Sequence, residues 1–247
     1  MRVSVIVPAY NEEAYIEKCL EGITSQEEKP DEIIVVNNNS TDKTVAIAKK
    51  FPVRIVNEKE QGMIQARNRG FNEAQYDIIA RTDADTIVSP DWIKKIKENF
   101  SDEKLVGLSG PSYFYGLNHY FAEKGPLQTL KSYFHLLNRI LGHDIMYGPN
   151  MALRKDAWDK IKNEVCLKGD EVHEDLDLSL HLSQVGKMKM DYSLMVATSF
   201  RRFKKLLPYF DYPYRVVKSV RKHKPFKIKV YSSNLVRKFV SKAFINK

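Results

Sequence analysis

Two aspartates, Asp83 and Asp85, stand two residues apart in Arg81-Thr82-Asp83-Ala84-Asp85-Thr86, directly after the apolar run Tyr76-Asp77-Ile78-Ile79-Ala80. If that run is a strand, its side chains alternate between faces, and both carboxylates emerge on one side of its end. Anions held that close repel, and they persist where a cation, hydrogen bonds or bulk water compensates. A hard divalent metal bound by oxygen ligands is the compensation that also supplies chemistry. Taken alone, a short motif of this kind is more simply an acidic surface turn, so the surrounding elements must decide.

Three other polar groups stand out. Asn37-Asn38-Asn39-Ser40-Thr41-Asp42 follows an apolar run, Glu174-Asp175-Leu176-Asp177 opens a helical pattern, and Arg201-Arg202 sits where the chain turns basic. A carboxylate at a helix N-terminus is favoured in its ionised form by the backbone N–H groups, so Asp175 is expected to accept protons at neutral pH. The competing account has Glu174, Asp175 and Asp177 simply capping the helix. Arginine pairs well with anionic oxygens, but Arg201 and Arg202 also read as a solvated charge pair.

The elements that must position these groups are legible as strand and helix in alternation. Val3-Ser4-Val5-Ile6-Val7 and Glu32-Ile33-Ile34-Val35-Val36 are near-continuous β-branched runs, the pattern of strands buried on both faces of a parallel sheet. Between them Asn11-Glu12-Glu13 is expected to open a helix striped by Ile16, Leu20 and Ile23. A helix over residues 42–50, a strand at Val53–Val56, a Gly62 turn and a helix through Ala66–Arg69 lead to the strand that precedes Asp83. Three strand–helix repeats and a further strand call for right-handed crossovers and a parallel sheet, with ligands at the strands' C-terminal ends. A helix from Trp92 and a strand at Leu105–Leu108 follow.

From Pro111 the chain is richer in aromatics (Tyr113, Phe114, Tyr115, Tyr120, Phe121), and a helix carrying Leu130, Phe134, Leu137 and Leu141 is expected. Gly148-Pro149-Asn150 returns to turn and strand, Ala157-Trp158 and Ile161 suit a short helix, and Gly186 is placed to close the helix that begins at Glu174.

At 247 residues and 43% hydrophobic content the chain can bury a core in one domain or two fused halves. It has no apolar run of the roughly 18 residues that span a bilayer, and its first residues read as a strand, so a cytoplasmic location is expected. Cys19 and Cys166 have no metal-ligand or redox spacing and are expected to be reduced bystanders. The net charge of +9 is unevenly placed: Lys and Arg number 25 against 30 Asp and Glu through residue 200, and 15 against 1 beyond it. A polyanionic partner therefore belongs to the C-terminal tail, and the preceding residues read as a mildly acidic enzyme core.

Four features, in order, resemble the family 2 inverting glycosyltransferases of the GT-A fold. They are Pro8-Ala9-Tyr10-Asn11-Glu12; the strand Ile33–Val36 running into Asn37-Asn38-Asn39-Ser40-Thr41-Asp42; Asp83-Ala84-Asp85; and Glu174-Asp175. Gly62 with Ala66-Arg67-Asn68-Arg69-Gly70, and Gly148-Pro149-Asn150-Met151-Ala152, also fit the family's habit, and the resemblance covers residues 1–200. It implies an α/β GT-A fold with a mainly parallel central sheet flanked by helices. A Rossmann-like nucleotide-sugar-binding half (1–110) would be fused to an acceptor-binding, catalytic half (111–205), ahead of a basic, partly helical tail (206–247).

The same resemblance implies transfer of a sugar, with inversion, from a UDP- or GDP-sugar to a saccharide or lipid-linked acceptor. The donor would be bound by Pro8, Tyr10, Asn11, Glu12, Asn37, Asn39, Arg67 and Asp83, joined by Arg201 and Arg202. Asp85, with Asp83 on the ribose or the metal's water shell, would hold Mn²⁺ or Mg²⁺, which stabilises the departing diphosphate. Asp175 matches the family's base, and Asn150 and Glu174 would lie at the acceptor. At Asn37–Asn39 the commoner pattern has aspartate. An amide both accepts and donates, so base preference is open here, and a turn chosen for backbone tolerance accounts equally for Asn38 and Asn39.

Two other functions share some of these features. A sugar nucleotidyltransferase also uses carboxylates and Mg²⁺ on an α/β sheet, but wants a glycine-rich basic loop after the first strand, which Pro8–Glu13 is not. Nucleic-acid binding through the tail and its aromatics is disfavoured by the acidic body, so no nucleic-acid partner is expected. Leu235, Val236, Phe239, Val240, Ala243 and Phe244 recur at helical spacing between basic residues. Such a helix docks on the protein's own core or lies on an anionic membrane; the charge favours the membrane and a peripheral enzyme.

Overall fold

Alternate residues of the first strands feed two separate cores, which is why those strands are apolar throughout. The computed structural model of the protein describes residues 1–115, 132, 134–139, 141–167, 172–201 and 219. β1 (Val3–Ala9), β2 (Glu32–Asn37), β3 (Arg54–Asn57) and β4 (Ile78–Arg81) run parallel, with β1 between β2 and β4. Val3, Val5, Val7, Ile33, Val35, Ile78 and Ala80 pack on one face against α1 (Ile16–Thr24) and α4 (Trp92–Asn99). Ile6, Ile34, Val36 and Ile79 pack on the other against α3 (Met63–Glu73), α5 (Lys155–Ile161) and α6 (Glu174–Val185). Each fully buried aliphatic side chain contributes about 1.5–3 kcal/mol, so both faces of the sheet anchor the strand ends firmly.

The sheet continues past β4 through β8 (Met151–Arg154), β6 (Leu105–Ser109) and β9 (Lys187–Met190), giving the order β3-β2-β1-β4-β8-β6-β9. β8 is antiparallel to both neighbours and β6 pairs with β9 in parallel, so the sheet is mainly parallel, as expected. A second sheet orders β5 (Thr86–Val88), β10 (Val196–Ser199) and β7 (Ser112–Tyr115). Phe134, Leu137 and Leu141 form a third cluster with Leu176, Leu180 and Met190.

Several local expectations need correction. α1 begins at Ile16 with Tyr15 at its N-cap, and Asn11 instead occupies a left-handed turn at φ 53°. The helix expected over 42–50 is the shorter α2 (Thr44–Ala48). β4 ends at Arg81, so Asp83 and Asp85 lie in a turn closed by the Thr86 N–H on the Asp83 carbonyl, and strand alternation does not govern them. Gly186 does close α6, but at φ 172°, which any residue adopts; glycine is required there because a Cβ would meet Val106 Cγ1 at 2.4 Å. Leu130, Tyr120, Phe121, Arg202 and the tail helix at 235–244 lie outside the described residues.

Candidate active site

The C-terminal ends of β1, β2 and β4 lie side by side, and three polar loops leave from them. The first two are knitted together. The Asn11 N–H donates to Ser40 Oγ (3.1 Å), Asn11 Oδ1 accepts from the Thr41 N–H (2.8 Å), and the Glu12 N–H donates to Thr44 Oγ1 (2.7 Å). Pro8 is half-buried at the strand end and Tyr10 is half exposed beside it.

In the second loop, Asn37 donates from Nδ2 to Asn57 Oδ1 (2.9 Å) and accepts the Ser40 N–H (3.0 Å). Asn38 is buried and ties down residues 58–62, donating to the Glu58 and Glu60 carbonyls and accepting the Gly62 N–H at 2.8 Å. Asn39 sits at φ 64°, the backbone-tolerance reading, and donates to the Lys59 carbonyl at 2.8 Å.

The third loop carries Asp83 and Asp85, both largely buried, and several segments fix it. The Asp85 carbonyl accepts from Tyr115 Oη (3.0 Å) and from the Ser199 N–H (3.2 Å), while Cys19 Sγ donates to the Asp83 carbonyl at 3.5 Å. Burial, then the Asp85 charge, pushes the Tyr115 phenol up to about 12, so it remains a donor. Burial first, with the charges of Asp85 and Asp83 behind it, also raises the Cys19 thiol, which makes this unpaired cysteine an inert packing group.

Arg201 bridges the first and third loops. Its Nε donates to Asp85 Oδ2 (2.8 Å), its Nη2 pairs with Glu12 Oε1, and its guanidinium stacks on the Tyr15 ring at 4.5 Å. Arg201 thus supplies a cation of this chain beside Asp85. Asp83 has its own: Arg81 Nη2 lies 3.1 Å from Asp83 Oδ1.

Arg81 also reaches the other end of the site. Its Nη2 pairs with Glu174 Oε1 (3.2 Å) and its Nη1 stands 3.7 Å from Asp175 Oδ1, while the Gly148 N–H donates to Asp175 Oδ2 at 2.9 Å. Burial works against the Glu174 charge, but the Arg81 and Arg67 guanidinium groups outweigh it and hold that carboxyl below the usual range. Asp175 goes the opposite way: burial, then the Glu174 charge, pushes it up, and Arg81 only partly offsets this. The expectation that the helix N-terminus keeps Asp175 readily ionised is thus corrected, because desolvation and a like charge outweigh the dipole. Nor do the acids cap the helix: His173 holds the N-cap position, and Asp177 accepts the Cys166 N–H at 2.9 Å.

Two expected ligand contacts are also corrected. Arg67 is fully buried, donating to Asn68 Oδ1 and to the Glu174 carbonyl (3.0 Å), so it braces the start of α6 and has no surface for a nucleotide. Asn150 is fully buried, accepting from Trp92 Nε1 (2.8 Å) and donating to the Leu194 (2.6 Å) and Pro111 (3.3 Å) carbonyls. Its amide is a staple between three segments, with nothing left for an acceptor. Glu174, also expected at the acceptor, is turned onto Arg81. Sequence reasoning gave Arg81 and Tyr15 no role and named Gly148 and Tyr115 only as members of a motif and of an aromatic stretch; the available signal for Arg81 was a lone cation ending an apolar strand.

The groove lined by Tyr76, Asp77, Phe100, Arg154 and Lys155 opens at the opposite end of the strands, where Asp77 accepts the Arg2 N–H, Arg154 donates to the Phe100 carbonyl and Lys155 pairs with Asp159. As to metal, Asp83 and Asp85 offer hard oxygen donors, and no group of three or more metal-ligating side chains exists among the described residues. That donor set fits Mn²⁺ or Mg²⁺ completed by substrate oxygens and water, and does not fit a closed zinc site.

The family model described as Glycosyl transferase family 2 matches residues 4–161. Glycosyltransferase GlyA of Streptococcus pneumoniae is 33% identical over 138 residues, 50% of this chain and 20% of that protein. Dolichol-phosphate mannosyltransferase of Pyrococcus furiosus is 36% identical over 122 residues, 47% of this chain and 34% of that protein. The match thus spans 20% and 34% of the length of these two curated relatives. Among solved structures, a mannosyltransferase from Pyrobaculum calidifontis in complex with GDP-Man and Mn²⁺ superposes with TM-score 0.68 at 19% identity, covering 98% of this chain and 68% of that one. Glucosyl-3-phosphoglycerate synthase from Mycobacterium tuberculosis, in complex with Mn²⁺ and UDP, gives TM-score 0.57 at 19% identity, covering 89% and 76%. The shared architecture is the GT-A fold.

Proposed function

The chain belongs to glycosyl transferase family 2, and on that footing we propose that it transfers a sugar from a UDP- or GDP-sugar to an acceptor hydroxyl with inversion at the anomeric carbon. The observation that carries this reading is the convergence on Arg81 of Asp83, Glu174 and Asp175, which pairs a donor-side turn with a buried, proton-seeking carboxylate. In the single displacement the acceptor oxygen bonds to the anomeric carbon as the bond to the diphosphate breaks and its electron pair leaves with the phosphate. Asp175 takes the acceptor's proton, and its raised pKa makes it a stronger base once ionised. Arg201, half exposed and already bridging the donor-side carboxylates, turns to the diphosphate as charge develops there. A divalent cation held by Asp85 and Asp83 would neutralise the departing diphosphate. The complexes of the two neighbours with Mn²⁺ and with GDP-Man or UDP support this donor class and metal for the chain.

The acceptor is proposed to be a saccharide or a lipid-linked group, the latter supported by the name of the Pyrococcus furiosus relative and by the basic tail. No described helix is long and apolar enough to cross a membrane; peripheral adsorption is checked by cosedimentation with anionic and neutral vesicles across a salt series. Release of UDP or GDP from a panel of nucleoside-diphosphate sugars, with Mn²⁺ and with a chelator, tests the activity. No release from any donor, or release of pyrophosphate from a nucleoside triphosphate instead, would overturn it.

A further inference from the structure

Arg81 is the last residue of β4, and the register on both sides fixes its backbone: it lies opposite Ile6 in β1 and opposite Met151 in β8. The side chain is almost wholly buried and faces three carboxylates from two distant parts of the chain. Its Nη2 is shared between Asp83 Oδ1 and Glu174 Oε1, at 3.1 and 3.2 Å. Its Nη1 and Asp175 Oδ1 are both buried and have no hydrogen-bond partner among the described residues, although they stand only 3.7 Å apart. A closing movement under about 1 Å would make that bond, and an unsatisfied buried donor facing an unsatisfied buried acceptor favours it. Gly148 borders the gap. A Cβ there would lie 3.2 Å from both Arg81 Nη2 and Asp175 Oδ1, so the approach depends on the missing methyl.

We propose that Arg81 is a positioning residue that couples occupation of the donor-side turn to the placement of the base: as the donor engages Asp83, Arg81 is released toward Asp175 and fixes its carboxylate. This rests on the reading of Asp175 as the base. In this structure Arg81 is held by Asp83 and Glu174, and among the described residues Asp175 is hydrogen-bonded on one oxygen only, by the Gly148 N–H. With the donor present, Asp83 Oδ1 turns to it and Nη1 closes on Asp175 Oδ1. Both oxygens are then fixed, and each keeps a lone pair for the acceptor's proton. The base is thereby set only when there is an activated sugar to attack.

Coupling of this kind is reciprocal, and this separates it from a merely structural role. If donor binding must loosen Arg81 from Asp83, weakening that pair leaves nucleoside-diphosphate affinity unchanged or improves it, while turnover falls. The test compares the full-length wild type with Arg81→Lys, whose single ammonium cannot span three carboxylates, and with Gly148→Ala, which keeps every charge but crowds the gap. Turnover is read as UDP or GDP release from a panel of UDP- and GDP-sugars, with water serving as acceptor, across pH. Affinity is read by calorimetry with UDP and GDP in the presence of Mn²⁺.

Both variants are expected to lose roughly tenfold to a hundredfold in kcat. The acid limb should move to higher pH, because in each variant the positive charge is held farther from Asp175 and the carboxyl is harder to ionise. Kd should equal or fall below the wild-type value in Arg81→Lys, whose pair with Asp83 is weakened, and rise by much less than the loss in kcat in Gly148→Ala, which loses only the closed state that favours the donor. If Arg81→Lys fails to fold, Gly148→Ala decides alone. A folded variant with wild-type kcat and acid limb, or a Kd that weakens in step with kcat, overturns the coupling while the transferase reading stands. A wild type that releases nucleotide from no donor removes that reading, and the coupling with it.

Discussion

Asp85 and Asp175 are the same side chain in opposite electrostatic settings. Asp85 lies in a turn whose backbone is fixed by Tyr115 and Ser199, and its carboxylate is matched by the partly exposed Arg201. Asp175 lies at the start of α6 beside an already ionised Glu174, with one oxygen on a backbone N–H and the other unpartnered among the described residues. The first arrangement suits a group that stays charged and exchanges one cation for another; the second suits a group that takes up a proton. Position in the fold, not residue type, separates the two roles, and each prediction below is aimed at one side of that division.

The largest effect is expected from Asp175→Asn, which keeps the shape of the side chain and removes its basicity. Turnover should fall on the order of 10³-fold, with nucleoside-diphosphate affinity unchanged. The wild-type kcat should rise with pH through a pKa above the ordinary aspartate value, because a raised pKa leaves the base protonated, and idle, at low pH. That limb should vanish in the variant; a limb that persists places the titrating base elsewhere.

Asp85→Asn should act on the other side, lowering transfer roughly 10²-fold through weaker stabilisation of the leaving diphosphate. Here the affinity for UDP or GDP in Mn²⁺ should drop in parallel, and a chelator should reduce the wild type to the variant's level. The acid limb should stay where it is in the wild type. Movement of that limb would mean the two aspartates are not electrostatically separate.

How far the sequence revealed this division depended on length and on partners. The buried runs 3–7 and 32–36 were legible because two cores demand apolar residues at odd and even positions alike. β5, β7, β9 and β10, of three or four residues each, carry too few alternations to register. Asp83, Asp85 and Asp175 were singled out by type and order, but their settings were not readable, because Arg201 and Arg81 reach them from distant segments. Asn150 was misread for the same reason. A polar residue after Gly-Pro looks exposed, and only the approach of Trp92, Pro111 and Leu194 turns it inward.

Asn150→Ala checks that correction and acts on neither aspartate directly. Removing the amide leaves the Trp92 indole and the Leu194 carbonyl without this partner in the interior, while the Pro111 carbonyl keeps the Val196 N–H, so the protein should lose about 2–3 kcal/mol of stability. Chemical denaturation reads the loss. For the fraction that stays folded, kcat and its pH profile should match the wild type; a selective loss of kcat would return Asn150 to the acceptor site.

The smallest effect is expected from Tyr115→Phe, which probes the donor side without touching a charge. The Tyr115 hydroxyl donates to the Asp85 carbonyl at 3.0 Å, and with the phenol pushed up to about 12 this bond persists across the working pH range. Losing one such bond costs about 1 kcal/mol, equivalent to roughly fivefold. Because the bond orients the turn that carries Asp85, the loss should fall on nucleoside-diphosphate affinity measured by calorimetry with Mn²⁺. Asp175 is held by Gly148 and Arg81, which Tyr115 does not contact, so the acid limb of kcat should not move. A fivefold drop in kcat at unchanged affinity would be the opposite result. It would show that the donor-side turn and the base respond as one unit even to a neutral change, and that the contrast between the two aspartates is one of charge alone.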